Sequence, residues 1–311
     1  MFGRIDPAAS THGGCLRGTI VGIGRFSIAI NLESPQLDLE RQIADLYGLY
    51  PHHGPNTLPD VTISLRSEAR GMTPSRQALR AFANDDAPYQ AVPVRWGVAV
   101  LEATLNWFVW RHLTRVLLLH AAVVERNGRA LVLSGPSGVG KSTLCAALVA
   151  RGWRFLTDEI GMVRPHDGRL EPHPRPISFK NQAIGIAASM LPDAHLTKPL
   201  ANAMKDEVAF MRPPTRSIEL AGETAAPALV IFPRYRPDAS VELEPIEKAQ
   251  AFMRLIESSA NYLTLLETGF ETLANLVEAC DHYTLIYQSL DDAVAVIESL
   301  EPASQGIEKV A

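Results

Sequence analysis

Cysteine is scarce in this chain: Cys15, Cys145 and Cys280 are the three in 311 residues. They form no C-x-x-C pair and no metal-ligand spacing, and they are too few and too scattered for a disulfide framework. Long apolar runs are also missing. The nearest approach, Trp96 to Leu119, is broken by Glu102, Arg111, His112 and Arg115, whereas a membrane helix needs about 20 predominantly apolar residues. Residues 1–14 carry no apolar h-region, so no secretory signal peptide is expected. Nor is there an excess of positive charge. The 29 Lys+Arg face 34 Asp+Glu, a net charge of −5, which supplies no basic field for nucleic acid or an anionic membrane. Internal repeats and low-complexity tracts are absent. Together these absences predict a cytoplasmic protein with neither nucleic acid nor membrane as partner, and they leave its chemistry open.

What is present is an ordinary globular composition, 47% hydrophobic and 20% charged, long enough for one large or two modest domains. Residues 1–14 read as a flexible start and the last ten as a frayed end. Arg25–Leu32 and Asp60–Leu65 have strand patterning, with a short helix between them at Leu37–Tyr50 and a turn-rich loop at Pro51–Pro59. This predicts a small α+β amino-terminal module over residues 1–90, closed by a linker at Asn84–Pro93. Residues 91–311 read as a dense α/β block. It opens with a helix over Val94–Leu113 and strands at Leu117–Glu125 and Arg129–Ser134, joined by Asn127-Gly128, a two-residue hairpin turn. Helices are expected at Lys141–Arg151, Gln182–Met190, Ile246–Ser258, Phe270–Ala279 and Leu290–Leu300, and strands at Trp153–Thr157, Ile160–Pro165, Ala228–Phe232 and His282–Tyr287. The proline-punctuated stretch Leu191–Arg216 is expected to be partly mobile.

The sharpest motif is Gly135-Pro136-Ser137-Gly138-Val139-Gly140-Lys141-Ser142, a full match to G-x-x-x-x-G-K-[ST] between an apolar strand and a helix. Glycines let the backbone wrap closely around phosphate oxygens. Backbone N–H groups at a helix start favour an anion. Lys141 would reach the β- and γ-phosphates, the Ser142 hydroxyl would ligate Mg²⁺, and Thr143 closes the cradle.

The strand ending in Thr157 runs into Asp158-Glu159, with Asp158 17 positions after Lys141. One helix fits that interval, so this strand is expected beside the P-loop strand as its parallel neighbour. Asp158 would then meet the P-loop at the carboxyl edge of the sheet, where open α/β folds bind ligands, and would hold Mg²⁺ or accept a proton. Glu159 is the second acid. The Asn127-Gly128 hairpin pairs Arg126 with Arg129, and carrying that register back sets His120 opposite Gly135. An imidazole there could bond a phosphate or assist proton transfer. No N-K-x-D base reader and no H-R-D or D-F-G set occurs, which argues against a GTPase or a eukaryotic-type kinase.

Leu119-His120, then GPSGVGKS, then RGWRFLTDE resembles bacterial HPr kinase/phosphorylase, and most of all its divergent relatives. The resemblance is tight over His120–Val163 and looser through Ser299. It implies a P-loop kinase domain akin to HPr kinase and phosphoenolpyruvate carboxykinase. The activity it implies is ATP-dependent phosphorylation of a serine hydroxyl on a protein or peptide, with ATP and Mg²⁺ as cofactors and a homo-oligomeric assembly. By position, Asp158 would be the base and Mg²⁺-linked acid, with His120 beside it. The chain departs from the family in having Glu159 in place of Asp and Thr143 in place of an acid.

Further cations should converge on the γ-phosphate. Arg234, which follows the apolar run Ala228–Phe232, leads Lys180, Lys205, Arg212 and Arg236. The alternative readings are a nucleotide-gated binding module, or a small-molecule kinase or plain ATPase on the same fold.

Overall fold

A computed structural model describes residues 19–33, 36–54, 56–69, 77–201 and 206–300. The expected flexible start, the frayed end and Lys205 lie outside the described residues. No helix among the described residues is long and apolar enough to cross a membrane. The chain divides into two compact units, residues 1–111 and 112–311.

The first unit holds β1 (Thr19–Ile23), β2 (Phe26–Leu32), α1 (Leu37–Tyr47), β3 (His52–His53), β4 (Val61–Ala69), β5 (Gln77–Ala83), β6 (Val92–Pro93) and α2 (Gly97–His112). They form a six-stranded sheet of order β3-β1-β2-β4-β5-β6. Its β2-α1-β4 segment is the expected parallel unit. Two features differ from expectation. The proposed linker at Asn84–Pro93 lies inside this unit, because β6 pairs with β5 and the Asn84 side chain accepts a hydrogen bond from Thr62 N–H. The helix α2 also packs within this unit. Gly97 lies against Leu39 of α1, and the Tyr47 hydroxyl donates to the buried Glu102 carboxylate. The division therefore falls at residues 111/112, later than the expected 90/91.

The second unit continues with β7 (Leu117–Arg126), β8 (Arg129–Ser134), α3 (Lys141–Ala150), β9 (Arg154–Thr157), β10 (Ile160–Val163), β11 (Leu170–Glu171), β12 (Ile177–Lys180), α4 (Gln182–Met190), β13 (Leu200–Ala201), β14 (Glu207–Met211), α5 (Thr215–Glu219), β15 (Ala226–Tyr235), β16 (Glu242–Pro245), α6 (Lys248–Ser258), α7 (Leu266–Glu278), β17 (Asp281–Tyr287) and α8 (Leu290–Ser299). An eight-stranded sheet runs in the order β11-β10-β7-β8-β15-β17-β16, with β9 also on β7. Its central strands are continuously apolar because both faces are covered. Leu131 and Leu133 of β8 bury against α3, α4 and α8, whereas Ala130 and Val132 bury against α6 and α7. The result is an α/β sheet between two helical layers.

One expectation is corrected here. The parallel neighbour of β8 is β15, not β9. The Asn127-Gly128 hairpin puts β7 on the other edge of β8, so β9 pairs antiparallel with β7 instead. Being antiparallel to the same strand, β8 and β9 still run in the same direction. The stretch Leu191–Arg216 contains β13 and β14, which join β12 in a small antiparallel sheet of order β12-β14-β13. Ladder bonds and the burial of Ala209, Phe210 and Met211 hold its described residues.

Candidate active site

The hairpin register is the expected one. Asn127 and Gly128 have φ of 54° and 78°, and the β7–β8 ladder runs from Arg126↔Arg129 to Ala121↔Ser134. His120 is the next residue of β7 beyond the last pair, and Gly135 directly follows the end of β8. On its other edge His120 is the cross-strand partner of Ile160. The strands β9 and β10 run one after the other along β7, and Asp158-Glu159 is a bend between them. The Thr157 hydroxyl holds that bend by accepting from Ile160 N–H at 3.2 Å, and Ala121 N–H donates to the Glu159 carbonyl at 3.2 Å. The two acids therefore sit beside the start of the P-loop.

The P-loop turns at Gly138 (φ 87°) and Gly140 (φ 100°), conformations that a side chain disfavours. Gly140 caps α3 without a side-chain hydrogen bond, which leaves the first N–H groups of that helix for an anion. Lys141 is 6% exposed and donates from Nζ to the carbonyls of Gly135 at 2.6 Å and Pro136 at 2.9 Å. Burial lowers its pKa, against the opposing pull of Glu159 and Asp158.

A chamber of about 340 Å³ opens over the loop. Ser137, Gly138, Gly140, Lys141, Ser142 and Thr143 form one wall, and His120, Asp158 and Glu159 face them. The remaining wall is Ser178–Asn181, most of it β12, with Lys180 at its exposed end. The Asp158 carboxylate accepts a hydrogen bond from Ser178 N–H at 3.0 Å. Its burial and the adjacent Glu159 push its pKa up to about 7, against the lowering influence of Arg175 and the Ser178 bond. Asp158 in turn raises the thiol pKa of Cys145 on α3, after burial as the larger cause. Burial and the charge of Lys141 lower the pKa of His120, so its neutral form is favoured.

A second chamber, about 870 Å³, lies on the other side of the loop. Gly135, Pro136 and Val139 line it, as does Arg234; His120 and Gly138 border both chambers. The structure thus brings Asp158, Glu159, His120 and Lys141–Thr143 together and sets Arg234 apart from the acids. Arg212 lines neither chamber. Three contributors escaped the sequence reading. Ser178 and Arg175 carry no motif, because β12 reaches the site through tertiary packing. Tyr287 of β17 abuts Gly140, and its only signal was a place at the end of an apolar strand.

The donor set suits Mg²⁺. Ser142, Asp158 and Glu159 offer hard oxygen ligands, and Mg²⁺ commonly takes one or two protein carboxylates and completes its shell with phosphates and water. Among the described residues no group of three or more His, Cys, Asp or Glu gathers into a metal cluster.

A family model described as SynChlorMet cassette protein ScmC matches residues 94–187. The chain is similar to an HPr kinase/phosphorylase of Clostridium botulinum (strain Eklund 17B / Type B), with 38% identity over 52 residues, 17% of each protein. It is 27% identical over 106 residues to the HPr kinase/phosphorylase of Bordetella pertussis, 34% of each protein. A Clostridium beijerinckii protein of that name is 36% identical over 52 residues. The chain spans about a third or less of the length of these relatives, so the relationship is distant and local.

Proposed function

We propose that this protein transfers the γ-phosphate of ATP to a serine hydroxyl of a protein or peptide, and that residues 112–311 are its catalytic domain. One observation carries the reading. Lys141 and Ser142 share a single chamber with Asp158, a buried carboxyl whose pKa is pushed up to about 7. In the metal-free site that carboxyl can carry a proton near neutral pH, and a carboxylate so placed can take the proton of an attacking hydroxyl. The distant likeness to HPr kinase/phosphorylases supports a kinase class of activity.

Lys141 and the N–H groups of Ser137–Thr143 would bind the phosphates. Ser142 and Asp158 would hold Mg²⁺, which when bound neutralises charge on the β- and γ-phosphates. Asp158 accepts the proton of the serine hydroxyl as its oxygen bonds to the γ-phosphorus. The bond from that phosphorus to the bridging oxygen breaks, and its electron pair leaves on ADP. His120, held neutral, orients the hydroxyl or the transferring group by a hydrogen bond. Glu159 keeps Asp158 basic by like-charge repulsion.

The test is transfer from γ-labelled ATP with Mg²⁺ into proteins and peptides of the source cell, wild type beside Asp158→Asn. A labelled acceptor seen only with wild type is expected. Label released solely as free phosphate by the wild type would overturn the reading in favour of an ATPase.

A further inference from the structure

The second chamber is not needed for the phosphates, yet it abuts the same loop. Strand alternation explains its composition. Phe232 and Arg234 of β15 share the sheet face covered by α6, and Ser134 of β8 shares it too, its hydroxyl 3.1 Å from that of Ser258 on α6. Three arginines, Arg234, Arg236 and Arg254, line this space with one acidic residue, Glu257, beside Phe232 and Tyr235. Arg254 is held in place: it stacks over the Phe232 ring at 5.1 Å and donates to the Thr284 hydroxyl at 2.9 Å. Arg234 and Arg236 are exposed, and among the described residues neither makes an ion pair.

We infer that this arginine-lined chamber binds an acidic peptide segment of the acceptor, presenting its serine past His120 to the first chamber. The inference rests on the phosphotransfer reading and names its substrate class. Three arguments favour an acidic acceptor over the nucleoside. The chamber meets Gly135, Pro136, Gly138 and Val139 of the loop and not Lys141–Thr143, to which the phosphotransfer reading gives the phosphates. Its three arginines against one acid suit carboxylates, which arginine binds in a fork geometry. Its boundary with the first chamber is His120 and Gly138, so a segment bound there lies next to the transferring group. Arg234 accordingly acts on the acceptor instead of the γ-phosphate.

The experiment uses the full chain and three matched serine peptides, flanked by Glu and Asp, by Gln and Asn, or by Lys and Arg. Binding of the labelled peptides is measured in the presence of a non-hydrolysable ATP analogue and Mg²⁺, and transfer is measured with ATP. Wild type is expected to prefer the acidic peptide by at least about tenfold. Arg236→Gln and the double variant Arg234→Gln/Arg236→Gln, both at exposed positions, should each raise the dissociation constant for that peptide about tenfold and leave the dissociation constant for the ATP analogue within about twofold. A tenfold change corresponds to about 1.4 kcal/mol. Equal binding of acidic and neutral peptides would overturn the inference whatever the turnover. So would variants that weaken the analogue instead of the peptide, which would assign the chamber to the nucleoside. Arginine-dependent binding of the acidic peptide without any transfer would uphold the chamber and sink the phosphotransfer reading alone.

Discussion

The hydroxyl of Tyr287 lies 2.5 Å from the point a Cβ on Gly140 would occupy. The last glycine of the P-loop is therefore braced from below by the end of β17. Tyr287 is 1% exposed, lies edge-on to the Tyr235 ring at 5.9 Å, and its phenol pKa is raised by burial. Gly140→Ala meets two obstacles, this contact and a φ of 100°. It should weaken ATP binding at least about tenfold, of order 1.4 kcal/mol. Adding Tyr287→Phe removes the contact but not the backbone strain, so the double variant should recover only part of the loss. Titration calorimetry with ATP reads both; full recovery would leave the backbone conformation without a role.

Lys141→Ala removes a cation from the phosphate site and also the two bonds that tie Nζ to Gly135 and Pro136. Nucleotide affinity and turnover should both collapse. Unchanged values of either would exclude Lys141 from the site.

Asp158 links pH to stability. Its pKa of about 7 in the fold stands above the ordinary value of 3.8. Between those values the folded state binds more protons than the unfolded state, so stability falls as pH rises through that window. The slope from this group is at most about 1.4 kcal/mol per pH unit. Urea melts of nucleotide-free protein should show a loss from pH 5 to pH 8 that shrinks in Asp158→Asn. The same variant should bind nucleotide and fail at transfer. A fully active Asp158→Asn enzyme would remove Asp158 from the chemistry.

His120→Ala should slow transfer by at least about tenfold, since a positioned proton-handling group is worth roughly 10²–10⁴, with little change in melting temperature. His120 is partly exposed at the end of its strand pairing with β8. A large thermal loss with normal specific activity would return it to a packing role.

Arg154 is 5% exposed and pairs with Glu125. It also donates to the carbonyls of Leu220 and Glu223, each at 2.9 Å, fastening the chain after α5 to β9. Arg154→Ala strands a buried carboxylate and should cost about 3–5 kcal/mol in denaturant unfolding. A loss below about 1 kcal/mol, the range of an exposed pair, would show that Glu125 finds water or another partner.

Much of this site was legible because its signals are local. The P-loop is contiguous, and its strand and helix are marked by apolar patterning on either side. Asn127-Gly128 sets a two-residue turn, and a turn of known length transmits register, which is how His120 could be placed next to Gly135. The helix at Gln182–Met190 and the strand at Arg129–Ser134 have the bounds read from the sequence. The strands β1, β3, β5, β6, β12, β13, β14 and β16 were not read, because short or two-sided strands look like loops until a partner is known.

The sequence by itself determined the glycine-rich G-x-x-x-x-G-K-S loop, the acid pair one helix later, and the hairpin that brings His120 to them. Only the tertiary structure decided that β7 stands between β8 and β9, that Asp158-Glu159 is a bend between two strands on one edge, and that β12 walls the chamber. It also decided that Arg234 faces α6, away from the acids. The physical reason is the same in each case. A strand's alternation shows which residues share a face, whereas its neighbour in the sheet and the helix that covers that face are set by burial between residues distant in the chain.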